Sequence, residues 1–236
     1  MASRKRQSLI AFAKHTSVQG EIVHAANRLQ SDFFLTFVIA ISLGRAEKPE
    51  AMFDYYDHAL AIWHVIQSDS AQRQMAFEAI ATVPTKLNLA NAIDRIRWAK
   101  AQADTLASGR NIVAHNPVTL RPRVDGARGL VHEPEFGSLS SRPAHQRRLD
   151  LIRGLKFWQA LRDDLLKLSD YMSAINDYVL KDRFVSWGHK PLSFMPSAWP
   201  RRPRLQSVAQ LRAIDSQLQA ATQKTRRRIP RRPSRG

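Results

Sequence analysis

Apolar side chains recur every three or four residues along most of the chain, and this spacing constrains the fold more than any other feature. In residues 18–43 the repeat runs from Val18 to Ile41. It predicts an amphipathic helix, with Ser17 as its N-cap and Gly44 as its C-terminal stop. The end of this helix is apolar on more than one side, so it either lies centrally in the fold or meets a second chain.

Further segments carry the same period together with helix start and stop signals. They predict helices at 50–67 after Pro49, at 69–82 with Asp69 as cap and Pro84 beyond, at 86–108 ended by Ser108-Gly109, at 144–181, and a lone helix at 205–222. No dependable run of strand pattern accompanies them. The sequence therefore predicts an all-α fold, an up-and-down bundle of four to five main helices.

Residues 117–144 interrupt the helical pattern with four prolines. Two short apolar stretches there flank Asp125-Gly126, a pair typical of tight hairpin turns. Because Pro122 and Pro134 cannot donate to a strand ladder, they restrict such strands to sheet edges. We expect a loop or a small β-hairpin inserted into the bundle.

Positive charge is concentrated at the C-terminal end of the chain. The net charge is +17, and residues 181–236 contain 14 lysines and arginines against two aspartates. These observations divide the chain into a basic N-terminal segment at 1–16, a helical bundle at 17–183, and a Pro/Arg-rich tail at 184–236 whose last part, from Arg226, is expected to be disordered.

Arginine outnumbers lysine by 27 to 10, and its planar fork matches phosphate oxygens with two parallel hydrogen bonds. RNA, or another polyanion, is the partner that this charge predicts. The tail arginines expected to bind it are Arg201, Arg202, Arg204, Arg226, Arg227, Arg228, Arg231 and Arg232. Trp187 and Trp199 would either stack on bases or anchor the tail to the bundle. The alternative is a solvated tail, or one attracted to anionic lipid.

Several classes of protein are disfavoured. The chain has no cysteine, which excludes disulfide frameworks, cysteine-ligated metals and thiol catalysis. It lacks a glycine-rich phosphate loop and a helical HExxH pair, and its longest apolar run is about half the length of a bilayer span. We therefore expect no cofactor, no metal site and no transmembrane segment, and a cytoplasmic location.

The segment Gly109-Arg-Asn-Ile-Val-Ala-His-Asn-Pro117 carries chemical content. Arg110, Asn111 and His115 resemble the RNxxxH signature of the HEPN superfamily, all-helical proteins that include many metal-independent ribonucleases and toxins. The segment follows one long amphipathic helix and precedes another, as in that family. On a helix, Asn111 and His115 share a face, whereas Arg110 lies about 140° from His115. The two would converge only through the length of arginine, an irregular turn, or a second chain.

The resemblance implies a metal-independent endoribonuclease that uses the ribose 2′-hydroxyl as nucleophile. His115 would transfer protons, Arg110 would hold the phosphate, and Asn111 would orient the phosphate or His115. It also implies a homodimer, a role as a toxin or defence effector, and an antitoxin-type protein partner. Two other functions are open: a non-catalytic helical nucleic-acid-binding protein, in which His115 is a core or capping residue, and an oligomeric interaction protein with an incidental basic tail.

Overall fold

The structure is a computed structural model that describes residues 2–43, 54–83, 89–116, 118–125, 129–136, 151–152, 154–186 and 198–228. The described residues form six helices and one two-stranded antiparallel sheet, which confirms the predicted all-α bundle with a small hairpin. The elements are α1 (Ala2–Leu43), α2 (Tyr56–Val65), α3 (Asp69–Ala81), α4 (Ala90–His115), β1 (Val118–Asp125), β2 (Gly129–Phe136), α5 (Leu155–Ser186) and α6 (Gln206–Arg228).

The first helix is longer than predicted, because it begins at Ala2 rather than near residue 18. Ser17 is not an N-cap. Its hydroxyl lies within the helix and donates to Oε1 of Glu21 at 3.0 Å. The basic segment 1–16 therefore continues into the bundle, and Gly44 lies outside the described residues.

The core forms where α1 packs against α3, α4 and α5. The apolar end of α1 lies centrally, as one of the two predicted arrangements requires: Ile39 is 1% exposed. The largest fully buried side chains come from four helices and from a position three residues before α5, among them Ile22, Phe33, Ile80, Ile96, Leu106, Ile152, Trp158, Leu161, Leu165, Leu168 and Met172. The predicted apolar stripes thus form one continuous core.

Gly109 does not end a helix, so the predicted break at Ser108-Gly109 is wrong. Helix α4 continues through it to His115. Gly109 is buried, and a Cβ there would lie 3.3 Å from methyl groups of both Leu161 and Leu211. The glycine therefore gives α5 and α6 a close approach to α4, at a cost to helix propensity of about 1 kcal/mol.

The predicted boundaries of the second, third and fourth helices agree with the structure in part. Helix α2 begins at Tyr56, while Gly44, Pro49 and the rest of 44–53 lie outside the described residues. Helix α3 is capped by Ser68 and not by Asp69, because the Ser68 hydroxyl accepts from the Ala71 amide at 3.4 Å. Pro84 and the start predicted for the next helix at 86 also lie outside, and α4 begins at Ala90.

The hairpin pairs Asp125 with Gly129, which leaves 126–128 outside the described residues at the predicted turn. Both prolines sit within strands that each form an edge of this sheet, as predicted. The long helix predicted at 144–181 is observed with a bend at Gly154: Leu151 and Ile152 before the bend are helical, and α5 runs from Leu155 to Ser186 after it. Its predicted first turns at 144–150 lie outside the described residues.

Within the predicted tail at 184–236, the described residues around α6 pack against the bundle. The predicted lone helix is present as α6, and it buries Val208, Leu211 and Ile214. Its start is fixed by the buried carboxylate of Asp164 on α5, whose Oδ2 accepts from the amide and the hydroxyl of Ser207 at 2.6 and 2.7 Å. The backbone is helical as far as Arg228, so disorder from Arg226 was predicted too early.

No helix in the described part of the chain combines the length and the apolar character that a bilayer span needs.

Replacing Asp164 by alanine should destabilise the protein by about 2–4 kcal/mol, because it leaves the buried amide and hydroxyl of Ser207 without their acceptor. Urea unfolding of wild type and variant measures this. Asp163→Ala is the matched control, since Asp163 is 47% exposed and pairs at the surface with Arg162; it should change stability by less than about 1 kcal/mol. Equal losses in the two variants would contradict the assignment of Asp164 as the anchor of α6.

Candidate functional site

The three residues of the RNxxxH signature lie on the last turns of α4, which is regular helix as far as His115. Asn111 and His115 are both exposed and stand one turn apart on the same face. Side chains on a helix lean towards its N-terminus, so the imidazole leans towards Asn111. An irregular turn between Arg110 and His115, one of the routes by which they could converge, is not present.

The end of α4 is held by the first helix. Nε2 of Gln19 on α1 donates to the carbonyl of Val113 at 2.5 Å and to that of Asn116 at 3.2 Å. Asn116 is buried and its side chain donates to the Ile112 carbonyl at 2.7 Å. These bonds occupy carbonyls that a helix end leaves without intrahelical partners. The backbone that carries His115 is therefore fixed to the core.

Arg110 points away from His115. Its Nη2 donates to Oδ2 of Asp69, the first residue of α3. Arg110 lines a small cavity together with Asp69 and Arg73 of α3 and with alanines and leucines of α1, α4 and α5. Within one protomer Asn111 and His115 share an exposed face of α4, and Arg110 lies on another side of the helix.

Next to this pair lies a second, more deeply buried one. The Arg73 side chain is 5% exposed, and its Nε and Nη2 donate to Oδ1 of Asp104 at 3.1 and 2.8 Å. Burial raises the pKa of Asp104, but the hydrogen bonds from Lys100 and Arg73 outweigh it and hold the pKa below its usual range. Nη1 of Arg73 also reaches Gln30 on α1 at 3.1 Å. This pair therefore ties α3, α4 and α1 together.

The tail residues divide into anchors and exposed cations. Trp199 stacks on Tyr178 with ring centroids 3.9 Å apart and lies 5.4 Å from the guanidinium of Arg95. It therefore anchors the tail, the second of its two predicted roles. Arg202 bonds to Asp94 at 2.5 Å and lies over the ring of Trp98, so it is also engaged.

Among the other tail arginines predicted to bind RNA, Arg201 and Arg204 are exposed at the surface of the bundle. The backbone of Arg226, Arg227 and Arg228 forms the end of α6. Arg231, Arg232 and Trp187 lie outside the described residues.

Asp32 was not predicted from the sequence to be a functional residue, but the pKa of its carboxyl is clearly raised. Asp32 on α1 faces α5, where the Ser169 hydroxyl donates to it. Burial raises its pKa to about 6, against the opposing effects of Ser169 and Arg28. The Asp32 carbonyl also accepts from Asn176 at 2.9 Å. The sequence signal that could have identified Asp32 is a polar residue in the middle of an apolar stripe. Its partners Ser169 and Asn176 place it in the α1–α5 interface.

No three His, Asp or Glu side chains lie close enough together within the described ranges to hold a metal ion. His58 and His64 are exposed on α2. His24 lines an open groove between α1 and α5 with Glu21 and Arg162.

Comparison with known proteins returned no family model, no curated protein and no solved structure that matches the chain. The HEPN resemblance stays a prediction carried by Arg110, Asn111 and His115.

Stability should depend on pH through Asp32. Because its pKa is about 6 in the folded protein and 3.8 ordinarily, the folded state keeps a proton that the unfolded state loses between these values. This contribution is complete below pH 3.8 and is lost as pH rises through 6. Asp32→Asn should therefore gain about 1–2 kcal/mol relative to wild type between pH 4.5 and pH 7.5, measured by urea unfolding at both values.

Asp163→Asn is the control for this pH dependence, since the Asp163 side chain is 47% exposed, pairs with Arg162 at the surface and does not act on the pKa of Asp32. A difference between Asp32→Asn and wild type that stays the same at the two pH values would show that Asp32 titrates normally.

Proposed function

We propose that this protein is a metal-independent endoribonuclease of the HEPN type, with Asn111 and His115 at the end of α4 as the centre of its site. The supporting observation is that these two side chains stand exposed on one face of a helix end that Gln19 fixes to the core. A rigid scaffold below exposed polar groups is what an active site requires. The imidazole is accessible to a substrate, as proton transfer demands.

The proposed reaction is attack of a ribose 2′-hydroxyl on the adjacent phosphorus. The new O–P bond forms a cyclic phosphate, and the bond to the 5′-oxygen breaks. His115 takes the proton from the 2′-hydroxyl as the new bond forms and returns it to the leaving 5′-oxygen, so that the reaction needs no net proton. Asn111, one turn away, orients the phosphate. Arg110 binds phosphate oxygens and offsets the charge that develops on the transition state.

A homodimer offers a way to bring Arg110 and His115 to one phosphate. On a regular helix, Arg110 and His115 are separated by about 140° around the axis and about 7.5 Å along it. A two-fold axis that passes beside the end of α4 would place Arg110 of one protomer opposite His115 of its partner. The RNA would then bind across the interface, and each dimer would contain two composite sites.

His115→Ala should lower cleavage of total RNA in EDTA by about 100-fold or more, because it removes the proton-transfer group. Arg110→Ala should also be inactive, and mixing the two inactive variants should restore about a quarter of wild-type activity if each site combines two protomers. Electrophoresis of the RNA products gives the readout.

His64→Ala is the control for this experiment, since His64 is an exposed histidine in the last turn of α2 as His115 is in α4. It should retain full activity. Cleavage that survives His115→Ala with the fold intact would refute the nuclease proposal, and the absence of activity in the mixture would refute the shared site.

A second function is favoured by the engagement of Arg110 with Asp69 and by the concentration of charge after residue 221. Seven lysines and arginines and no acidic residue lie in 222–236. A bundle that binds RNA without cleaving it would need only these cations, since phosphate contacts dominate affinity.

Deleting residues 222–236 should weaken RNA binding by at least about tenfold at 0.1 M salt and flatten its salt dependence, because fewer counterions are released. Fluorescence anisotropy with a labelled RNA over a salt series measures both. The deletion keeps Leu218, which packs against the core and is the last such residue among the described side chains of α6, whereas deletion from residue 200 would also remove buried Leu211. Unchanged affinity and slope would show that the tail does not bind RNA.

A further inference from the structure

The helix pair α3–α4 places an acidic side chain on the proposed phosphate ligand. The two helices run antiparallel, since Asp69 lies beside Arg110, Arg73 beside Asp104, and Phe77 beside Arg97. We infer that Asp69 is an intramolecular competitor for phosphate: its carboxylate occupies the Arg110 guanidinium in the free protein and leaves it when a phosphodiester binds. This inference rests on the proposed function, which makes Arg110 the phosphate ligand.

The contrast with the neighbouring pair supports exchange at Arg110. Arg73 is 5% exposed and uses all three nitrogens, two on Asp104 and one on Gln30. Arg110 donates to Asp69 through Nη2, and its Nε and Nη1 make no hydrogen bond within the described part of the chain. Its side chain is 22% exposed and that of Asp69 is 41% exposed. The first pair is therefore buried and fully bonded, whereas the second is a partly exposed ion pair at the edge of the bundle that uses one nitrogen of Arg110, and it is the easier of the two to exchange.

A phosphodiester can replace Asp69 at little cost. Its two non-bridging oxygens share one negative charge and can accept hydrogen bonds from two nitrogens of the guanidinium fork, which is stronger than a contact through one. The freed carboxylate remains in the first turn of α3, where the helix dipole favours a negative charge. Both partners therefore have a favourable state after the exchange.

The position of α3 leaves room for that exchange. Because α3 begins at Asp69 and runs towards the N-terminal end of α4, it covers the side of α4 below Arg110 and not the turn that carries His115. A guanidinium released from Asp69 can therefore move towards the exposed end of the helix. Asn111 and His115 lie at that end.

Asp69→Asn tests the inference without removing the helix cap, because Ser68 caps α3. The matched control is Asp57→Asn: Asp57 is an exposed first-turn aspartate of α2 that makes no ion pair within the described residues. The probe is a fluorescein-labelled single-stranded RNA with 2′-O-methyl groups, which binds but cannot undergo 2′-hydroxyl attack. Anisotropy gives its Kd for wild type, Asp69→Asn, Asp57→Asn, Arg110→Ala and the double variant Asp69→Asn/Arg110→Ala.

We expect Asp69→Asn to bind the probe about two- to fivefold tighter than Asp57→Asn does, the gain that follows from release of one surface ion pair. The double variant should bind no tighter than Arg110→Ala alone. A gain that persists without Arg110, or Asp69→Asn binding no tighter than the control, overturns the inference, as does failure of every variant to bind.

The proposed nuclease is judged separately by cleavage of unmodified RNA. If wild type does not cleave that RNA while Asp69→Asn still binds the probe more tightly through Arg110, catalysis is refuted and the competition stands. If His115-dependent cleavage is present but Asp69→Asn loses affinity, Asp69 holds Arg110 in place and the competition is refuted.

Discussion

The contact between α1 and α5 is the interaction on which the rest of the bundle depends. The two helices bury a continuous apolar stripe that includes Phe33 and Leu168. At roughly 25 cal/mol per Å² of buried apolar surface, such a stripe outweighs every polar contact around it. The other helices attach to one or both of these two: α3 and α4 lie on α1, and α4 and α6 lie on α5.

Polar groups in the α1–α5 interface fix the relative position of the two helices more than they add to stability. Thr36 on α1 donates to Asn176 on α5 at 2.8 Å, and Asn176 donates back to the Asp32 carbonyl. An axial slip of either helix would bury these groups without partners, at about 1–3 kcal/mol each. Gln19, on the same helix α1, bonds to the end of α4. The backbone at His115 is thus held to α1 through one side chain, although no residue of the signature lies in the α1–α5 contact.

The sequence predicted the parts of this fold that depend on periodicity. Apolar stripes located the helices and most of the core because burial imposes the 3.6-residue period directly. The prediction failed at Gly109 because glycine is found both at helix ends and where two helices cross closely. Only the positions of Leu161 and Leu211 distinguish the two cases. It failed at Ser17 for a related reason: a residue able to cap a helix can also bond within it, here to Glu21.

The candidate site shows the same limit of prediction from sequence more clearly. Helical spacing alone predicts that Asn111 and His115 share a face and that Arg110 does not. The partner of Arg110 was not predictable, because Asp69 is 41 residues distant in sequence and reads as a helix cap. The role of Trp199 was open for the same reason, until its stacking on Tyr178 identified it as an anchor.

The geometry of Arg110 constrains any mechanism at the end of α4. A guanidinium and an imidazole on opposite sides of one rigid helix cannot bind the same phosphate unless a second chain or a movement brings them together. Helix α4 is not free to rotate, because Gln19 bonds to its C-terminal end and the Arg73–Asp104 pair holds its middle. Movement is therefore confined to the side chain of Arg110, whose ion pair is weakly held and partly exposed. A dimer and a mobile arginine are compatible, since a guanidinium that is released from Asp69 at the surface can also reach a partner protomer.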